Sequence, residues 1–516
     1  MKLFGVGASD HPMADVKEAR AILDAIPAGD PFKVLEDLSH WLESVRTWPG
    51  FKPEHRAQIV QMVDDAAQLH LRKLQREYVS SQRPSKFLEN RLWSVIREWH
   101  RQSGLAFAIC IDAYATGQKG WEDLKQSVPL LTVRALRALA AQMKWQHMRY
   151  GPAENSLWEM IAKIYALSEN RKYSQSKAIA YPGSPAETSP EQEFLKAVMF
   201  AASSPDSLLP VEIELVERLI AHLAGSFKLT TSPRPDIVYC FDLANHEPPV
   251  RAAHLPHRAP TLRFFAAGGA VKEIEKLAQT VKSTGAVPSS IALGGNYEPE
   301  VVLDVLDHLA LHWAPKPPER RAQRHRVKSR LTVTYGFDGV RAALDPTGEV
   351  QFDPGKVESW IVENVSAGGF GASVPQIKGE WLKIGCLLGL QPEGGSNWLV
   401  GVIRRLTRES PQQGTVGIQT LGRAALPVQV RLRSGQMGIS RDSETAILLN
   451  PVDSAPEAQL LLRANVLLVG QNLELERNGK AYLLLPTGDM ERGDDYALVR
   501  CRQMIRDTGD RPGRAG

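Results

Sequence analysis

The chain has 516 residues, of which 43% are hydrophobic and 23% are charged, and its formal net charge is +4. This length predicts about three domains, and the composition is that of globular proteins with ample material for their cores. The small net charge argues against general nucleic-acid binding. We therefore expect a multidomain protein of the α+β class.

The cysteines and the apolar segments bear on the compartment. No C-x-x-C pair and no Cys/His cluster occurs, so the sequence indicates buried, reduced thiols and neither a zinc site nor a disulfide framework. The cysteines are Cys110, Cys240, Cys386 and Cys501. The N-terminus lacks the apolar core of a signal peptide, and the longest apolar run, near Leu105–Ala115, is interrupted by Asp112 and is too short to span a membrane. We expect a cytoplasmic protein without a transmembrane segment.

Residues 1–230 have the apolar periodicity of helices. Apolar residues recur at three- and four-residue spacing in Val34–Leu42 and in later segments. Those segments are Ile59–Tyr78, Phe87–Tyr114, Leu124–Met148 and Leu157–Leu167. A further helix is predicted to begin after Ser189, with the serine as its cap and Pro190 at its first position. The tryptophans on these segments are expected to anchor the core, and they are Trp41, Trp93, Trp99, Trp121, Trp145 and Trp158.

Residues 231–313 are predicted to form a small α/β subdomain. Its predicted strands are Asp236–Leu243 and Thr261–Phe265, and its predicted helices are Val271–Ser283 and Pro299–Trp313. His308 and His312 lie one helical turn apart, but no third ligand follows at metalloprotease spacing, so a packed or surface pair is favoured over a metal site. Residues 1–310 also lack a nucleophile elbow, a phosphate-binding loop and any other catalytic motif. We therefore predict no metal ligand and no catalytic residue.

A proline-containing linker, Ala314–Glu319, leads into a basic segment. Seven Lys or Arg residues lie between Lys316 and Arg330, against a single acidic residue. The planar fork of arginine can bond a phosphate or the O6/N7 edge of guanine, and it can also stack on a base. The segment therefore indicates an anion site or, as the alternative, a solvated basic linker.

The spacing of the arginines adds a pattern to this charge. Arg320 and Arg324 are related as R-x-x-x-R, and a strand is predicted at Val327–Tyr335, directly after Arg326. Two assignments remain open, because Arg320 and Arg324 have the R-x-x-x-R spacing, whereas Arg326 directly precedes the predicted strand but has Ala322 four residues before it. Pairs at this spacing also occur elsewhere in the chain, so the arginines alone carry little information.

A polar turn follows about forty residues later. In the segment Asn364–Gly369, Asn364 and Ser366 supply short hydrogen-bonding side chains, and Gly369 would let a ligand approach the backbone closely. The pattern N-x-S-x-x-G occurs once in the chain, whereas average composition predicts roughly 0.2 matches with Asp or Asn at the first position.

Together, the basic segment and the turn resemble the PilZ domain, a small bacterial β-barrel that binds cyclic di-GMP through R-x-x-x-R and [D/N]-x-S-x-x-G. The later predicted strands Val400–Ile403 and Gly414–Thr420 fit this resemblance, which covers roughly residues 320–422. It implies a second-messenger receptor that is not an enzyme and needs no cofactor. It also implies a set of ligand-binding residues: Arg320, Arg321, Arg324, Arg326, Asn364, Ser366 and Gly369.

The remaining sequence keeps a β pattern. Residues 426–506 are predicted to form a second β unit without a recognisable ligand signature, and residues 507–516 a disordered tail. The predicted strands of the second β unit are Val428–Leu432, Glu444–Leu449, Leu460–Val469, Tyr482–Pro486 and Tyr496–Arg502. The predicted organisation is therefore a helical region, a small α/β segment, a PilZ-like antiparallel barrel at 314–425 and this second unit.

Two functions remain open. In the first, the barrel binds cyclic di-GMP and the helical N-terminal region serves as the output module for an unidentified protein partner. In the second, the barrel is ligand-blind and acts as a scaffold, or its basic segment contacts nucleic acid or an acidic protein. An enzyme within residues 1–310 has no catalytic residues in its favour.

Overall fold

A computed structural model describes residues 11–80, 85–183, 186–255, 259–291, 293–316, 323–345, 354–434, 438–452, 455–468 and 471–506. The chain divides into two compact units, Met1–Pro318 and Glu319–Gly516. The tail that was predicted to be disordered lies outside the described residues. None of the described helices has both the length and the apolar character that crossing a bilayer requires.

The first unit begins with packed helices. They are α1 (Val16–Asp24), α2 (Pro31–Thr47), α3 (Pro53–Ser80), α4 (Lys86–Ala115), α5 (Val128–His147), α6 (Asn155–Asn170), α7 (Pro190–Ala202) and α8 (Pro210–Leu223). Their apolar faces share one core, in which Trp99, Trp145 and Trp158 are fully buried. Three others pack against it with part of their surface exposed: Trp41, Trp93 and Trp121. The prediction that these tryptophans anchor a helical core is confirmed.

The predictions for the cap of α7, for the histidine pair and for the cysteines also hold. The Ser189 hydroxyl accepts a hydrogen bond from the Gln192 N–H at 3.3 Å, which caps α7 as expected. The rings of His308 and His312 lie 4.4 Å apart, and His308 Nε2 lies 2.6 Å from the Ser203 carbonyl oxygen. This is a packed histidine pair. Among the described residues, the cysteines are all buried and unpaired with one another: Cys110, Cys240, Cys386 and Cys501.

A small antiparallel sheet completes the first unit. Its strands are β1 (Lys228–Thr230), β2 (Tyr239–Asp242), β3 (Val250–Arg251) and β4 (Leu262–Ala266), in the order β1-β4-β2-β3. The helices α9 (Ala270–Thr284) and α10 (Pro299–Trp313) follow it in the chain. The predicted α/β segment is therefore present.

The second unit contains two closed barrels. The strands of the first are β5 (His325–Tyr335), β6 (Glu358–Ser366), β7 (Gly369–Val374), β8 (Leu387–Pro392), β9 (Leu399–Arg408) and β10 (Gly414–Gly422). They close in the order β10-β7-β6-β5-β8-β9, and neighbouring strands run antiparallel. Alternate residues such as Leu331, Trp360 and Val402 fill the interior, as the two-residue period of a strand requires.

The second barrel repeats this connectivity. Its strands are β11 (Ala425–Ser434), β12 (Gly438–Leu449), β13 (Glu457–Arg463), β14 (Asn472–Arg477), β15 (Lys480–Arg492) and β16 (Tyr496–Arg506). In both barrels the first strand pairs with the second and fourth, the third pairs with the second and sixth, and the fifth pairs with the fourth and sixth. The predicted second β unit is therefore a closed barrel with the strand connections of the first.

A helix that was not predicted packs between the two barrels. Helix α11 (Gly336–Leu344) lies between β5 and β6, in the long interval that precedes the polar turn. Its Phe337 side chain belongs to a buried apolar cluster with Ile447 and Tyr496 of the second barrel. The Phe337 N–H also donates to the Asp495 carboxylate at 2.6 Å. The insertion therefore packs the first barrel against the second.

Candidate ligand-binding site

The basic segment enters the first barrel through β5. This strand begins at His325, two residues earlier than predicted, because cross-strand pairing already starts there, opposite Val365. Arg324 is therefore the residue directly before the strand, and Arg326 lies within it; both are exposed. The predicted strand start at Val327 is wrong, and the residue directly before β5 is Arg324, the second arginine of the R-x-x-x-R pair. Arg320 and Arg321 lie outside the described residues.

The register of β5 and β6 brings the two predicted motifs together. Arg326 is the direct cross-strand partner of Asn364, and such partners have Cβ atoms about 5 Å apart. Both strands are irregular at this point, with register shifts between Arg326 and Ser329 and between Val362 and Asn364. Bulges of this kind redirect side chains and are common next to binding sites.

Asn364 is the polar centre of the arrangement. Its amide group leans over Gly371 on β7, where an added Cβ atom would lie 2.5 Å from Asn364 Nδ2. Among the described residues, no group donates a hydrogen bond to Asn364 Oδ1, although this oxygen is shielded from solvent. An unsatisfied buried acceptor costs about 1–3 kcal/mol. The arrangement therefore favours a ligand, or an arginine, that supplies an N–H group here.

The turn between β6 and β7 contains the other predicted residues. The Ser366 hydroxyl donates a long hydrogen bond, 3.4 Å, to the carbonyl of Gly369 across the turn. A Cβ atom on Gly369 would lie 1.9 Å from the carbonyl oxygen of Ile418 on β10. Gly369 was predicted to allow close approach of a ligand, and the structure gives it a packing reason within the barrel as well.

A groove of about 580 Å³ lies beside Arg326 and the bulges. It is lined by Arg326, Val327, Lys328, Ile361, Val362, Glu363 and Ser373. It combines two cationic side chains with one carboxylate and an apolar floor, which is the composition of a site for an anion that also carries a flat apolar surface. Lys328, Ile361 and Ser373 were not predicted as site residues from the sequence. Of these residues, only Lys328 was noted, for its charge. The others could not be assigned because bulge positions leave no signature in the sequence.

The strand pairing thus places Arg326, Asn364, Ser366 and Gly369 at one end of the first barrel, and Arg324 directly precedes β5. Among the described residues, no group of three or more metal-ligating side chains occurs.

Comparison with known proteins gives a match outside the barrels. Residues 17–235, less than half of the chain, match a protein-family model. That family is the cyclic-di-GMP receptor FimW, N-terminal domain. The matched segment contains helices α2 to α8, β1 and α1 without its first residue, so the helical region is similar to the FimW N-terminal domain. No curated protein matches the chain.

Proposed function

We propose that this chain is a receptor for cyclic di-GMP and that it binds the ligand at the first barrel in the manner of a PilZ domain. The observation that carries the proposal is the pairing of Arg326 with Asn364, whose side-chain oxygen lacks a hydrogen-bond donor among the described residues. The adjoining groove has room for a flat anionic ligand. The similarity of the helical region to a domain of a cyclic-di-GMP receptor supports the same ligand independently.

The chemistry of the ligand fits these groups. Cyclic di-GMP presents two phosphates and two guanines, and arginine can bond either one bidentately. Guanine also carries N–H donors on the edge that an acceptor such as Asn364 Oδ1 can bind. In this proposal the ligand is contacted from the basic segment by Arg320, Arg321, Arg324 and Arg326. It is contacted from the polar turn by Asn364 and Ser366.

The helical region is then the module through which the ligand state reaches a protein partner. The similarity to the FimW N-terminal domain is confined to this region and β1, whereas the arginines and the turn lie in the second unit. A ligand can shift the arrangement of two units only through its different affinity for the two states, and about 1–3 kcal/mol is typical of such coupling.

Isothermal titration calorimetry of the full chain with cyclic di-GMP tests the proposal. Cyclic di-AMP is the matched control, because it keeps both phosphates but lacks the guanine O6 acceptor. We expect saturable binding of cyclic di-GMP and much weaker binding of cyclic di-AMP. If neither dinucleotide gives a signal at high micromolar concentration, the barrel is ligand-blind and the scaffold function replaces this one.

We also predict that the protein does not hydrolyse its ligand. Hydrolysis of a phosphodiester needs a metal-binding set of carboxylates or an activated nucleophile, whereas the adjoining groove is lined by a single carboxylate, Glu363. The test is chromatography of cyclic di-GMP after long incubation with the protein and magnesium or manganese. Linear dinucleotide or GMP, formed by protein free of contaminating phosphodiesterase, would contradict the prediction.

A further prediction concerns the segment that joins the two units. We expect cyclic di-GMP to protect Lys316–Arg330 from trypsin, because several guanidinium groups must converge on one ligand and so restrict this stretch. We also expect small-angle scattering to change on ligand addition if the restriction alters the placement of the helical region. Protection with unchanged scattering would retain binding but reject the coupling, and the absence of both effects would indicate a rigid scaffold.

A further inference from the structure

The shared connectivity of the two barrels makes their ends comparable. In the first barrel, the site lies where the first strand begins and the second strand ends, at Arg326 and Asn364. The corresponding places in the second barrel are the start of β11 and the end of β12. An arginine, Arg423, lies two residues before β11, and an asparagine, Asn450, directly follows β12.

In the second barrel, backbone groups of the chain itself form the hydrogen bonds at the corresponding asparagine. Asn450 Oδ1 accepts hydrogen bonds from the N–H groups of Arg423 at 2.9 Å and of Ala424 at 3.4 Å. Its Nδ2 donates to the Leu421 carbonyl at 3.3 Å, and its backbone N–H donates to the Ala424 carbonyl at 2.7 Å. The side-chain oxygen that lacks a donor in the first barrel is therefore satisfied internally in the second.

The side chain of Arg423 extends to the turn of the first barrel. Its guanidinium group donates to the Ala367 carbonyl at 2.8 Å, and the neighbouring Gly368 carbonyl accepts from the Thr420 N–H at 3.0 Å. Ala367 and Gly368 are the two residues between Ser366 and Gly369. The Gly368 carbonyl is thus held by β10 of the first barrel, and the Ala367 carbonyl by Arg423 in the connection between the two barrels.

These bonds fix the turn in one orientation. A trans peptide directs its C=O and N–H groups to opposite sides, so the bond to the Ala367 carbonyl also sets the direction of the Gly368 N–H. Backbone N–H groups in turns are common ligands of phosphates. A turn that is already oriented binds more tightly, because less ordering remains to be done on binding.

We propose that Arg423 is a positioning residue for the cyclic di-GMP site, and that the second barrel supports the ligand turn of the first without binding the dinucleotide itself. This inference rests on the proposed function. The support is firm because the backbone of Arg423 is held by Asn450, and because residues of both barrels share one buried apolar cluster, which includes Val400 and Leu461. Arg423 acts through the Ala367 carbonyl and not through contact with the ligand.

The test compares Arg423→Ala with Arg431→Ala by titration of the full chain with cyclic di-GMP at two salt concentrations. Arg431 is a matched control, because it is an exposed arginine on β11, the strand that follows Arg423, with a long, 3.9 Å ion pair to Glu476. We expect Arg423→Ala to weaken binding about five- to tenfold through lost preorganisation, and Arg431→Ala to bind like the wild type. Thermal unfolding should give both variants the melting temperature of the wild type within a few degrees.

The outcomes separate this inference from the proposed function. If the wild type does not bind cyclic di-GMP, the proposed function fails before Arg423 is tested. If the wild type binds and Arg423→Ala binds equally well, the positioning role is wrong. Loss of a direct ionic contact would also make binding less dependent on salt, so a shallower salt dependence in Arg423→Ala would overturn the proposal in favour of direct contact. An unchanged salt dependence with weaker binding supports it.

Discussion

Arg326→Ala is expected to weaken the binding of cyclic di-GMP about ten- to a hundredfold. Hydrogen bonds to charged groups contribute about 1.5–3 kcal/mol, and each 1.4 kcal/mol corresponds to a tenfold change in Kd. Arg326 is the arginine whose place beside Asn364 and the groove is fixed by strand pairing. Its alanine variant removes a guanidinium group from the site and leaves the backbone ladder in place. The measurement is the Kd from calorimetry at constant ionic strength.

Arg330→Ala is the control, since Arg330 is an exposed arginine further along the same strand. Its residue pair in β6 is Ile361, and it does not line the groove. This variant lowers the net charge by the same amount, so it reports the nonspecific electrostatic effect alone. Equal affinities of the two variants would show that Arg326 acts only through net charge. The double variant Arg324→Ala/Ser366→Ala extends the test to the neighbouring positions, and unchanged affinity there would reject the assigned site.

The sequence predicted the arginine segment and the polar turn as ligand-binding elements, but it did not predict the strand geometry around them. The arginine segment and the turn were recognised from residue types and spacing, which depend on chemistry that a one-dimensional pattern preserves. The start of β5 was misplaced by two residues, because His325 and Arg326 have polar side chains and join the strand only through their pairing with Val365 and Asn364. The bulges that form the groove depend on the register of three strands, and register is a tertiary property.

Helix α11 shows the same limit in the fold. Its sequence, Gly336–Leu344, contains two glycines in its first turn and has low helix propensity. The burial of Phe337 and Val340 in the cluster between the barrels compensates for this propensity. The long helices of the first unit were predicted well because their apolar periodicity extends over many turns. Closure of the second β unit into a barrel, and its likeness in connectivity to the first, could not be predicted because no short motif encodes the order of strands in a barrel.

The two units also differ in how much of their function the sequence alone predicts. The arginines and the turn are local, so they indicated a ligand without any knowledge of the helical region. The helical region contains no ligand motif that residue chemistry alone identifies, and it is similar to the N-terminal domain of the cyclic-di-GMP receptor FimW. Buried ion pairs join the helices of this region, and we expect them to stabilise its fold.

Lys144→Met is expected to lower the free energy of unfolding of the helical region by about 3–5 kcal/mol, the cost of breaking a buried ion pair by removing one partner. Lys144 on α5 donates to Glu214 at 2.7 Å and to Glu217 at 2.6 Å, both on α8. The side chains of Lys144 and Glu214 are 4% and 5% exposed. Burial alone would raise the pKa of Glu214, but the charges of Lys144 and Arg218 outweigh it and lower this pKa to about 2.

The direction of the pKa shift fixes the pH range of the effect. A glutamate has a pKa of about 4.3 in an unfolded chain, so the lowered value in the folded state means that the ion pair stabilises the fold at neutral pH. This stabilisation is lost as the pH falls from about 4 towards 2. The destabilisation by Lys144→Met should therefore be full at neutral pH and should shrink in that acidic range.

The measurement is urea unfolding of the full chain, followed by the helical circular-dichroism signal, with Lys163→Met as the control. Lys163 also pairs with a carboxylate, Asp112, at 3.1 Å, but the two side chains are 71% and 43% exposed. Exposed pairs contribute about 0–1 kcal/mol, so this variant should unfold almost like the wild type. The double variant Lys144→Met/Glu214→Gln should recover part of the loss, because it no longer leaves a buried carboxylate without its main partner. If Lys144→Met and Lys163→Met have the same small effect, the ion pair between α5 and α8 does not stabilise the helical region.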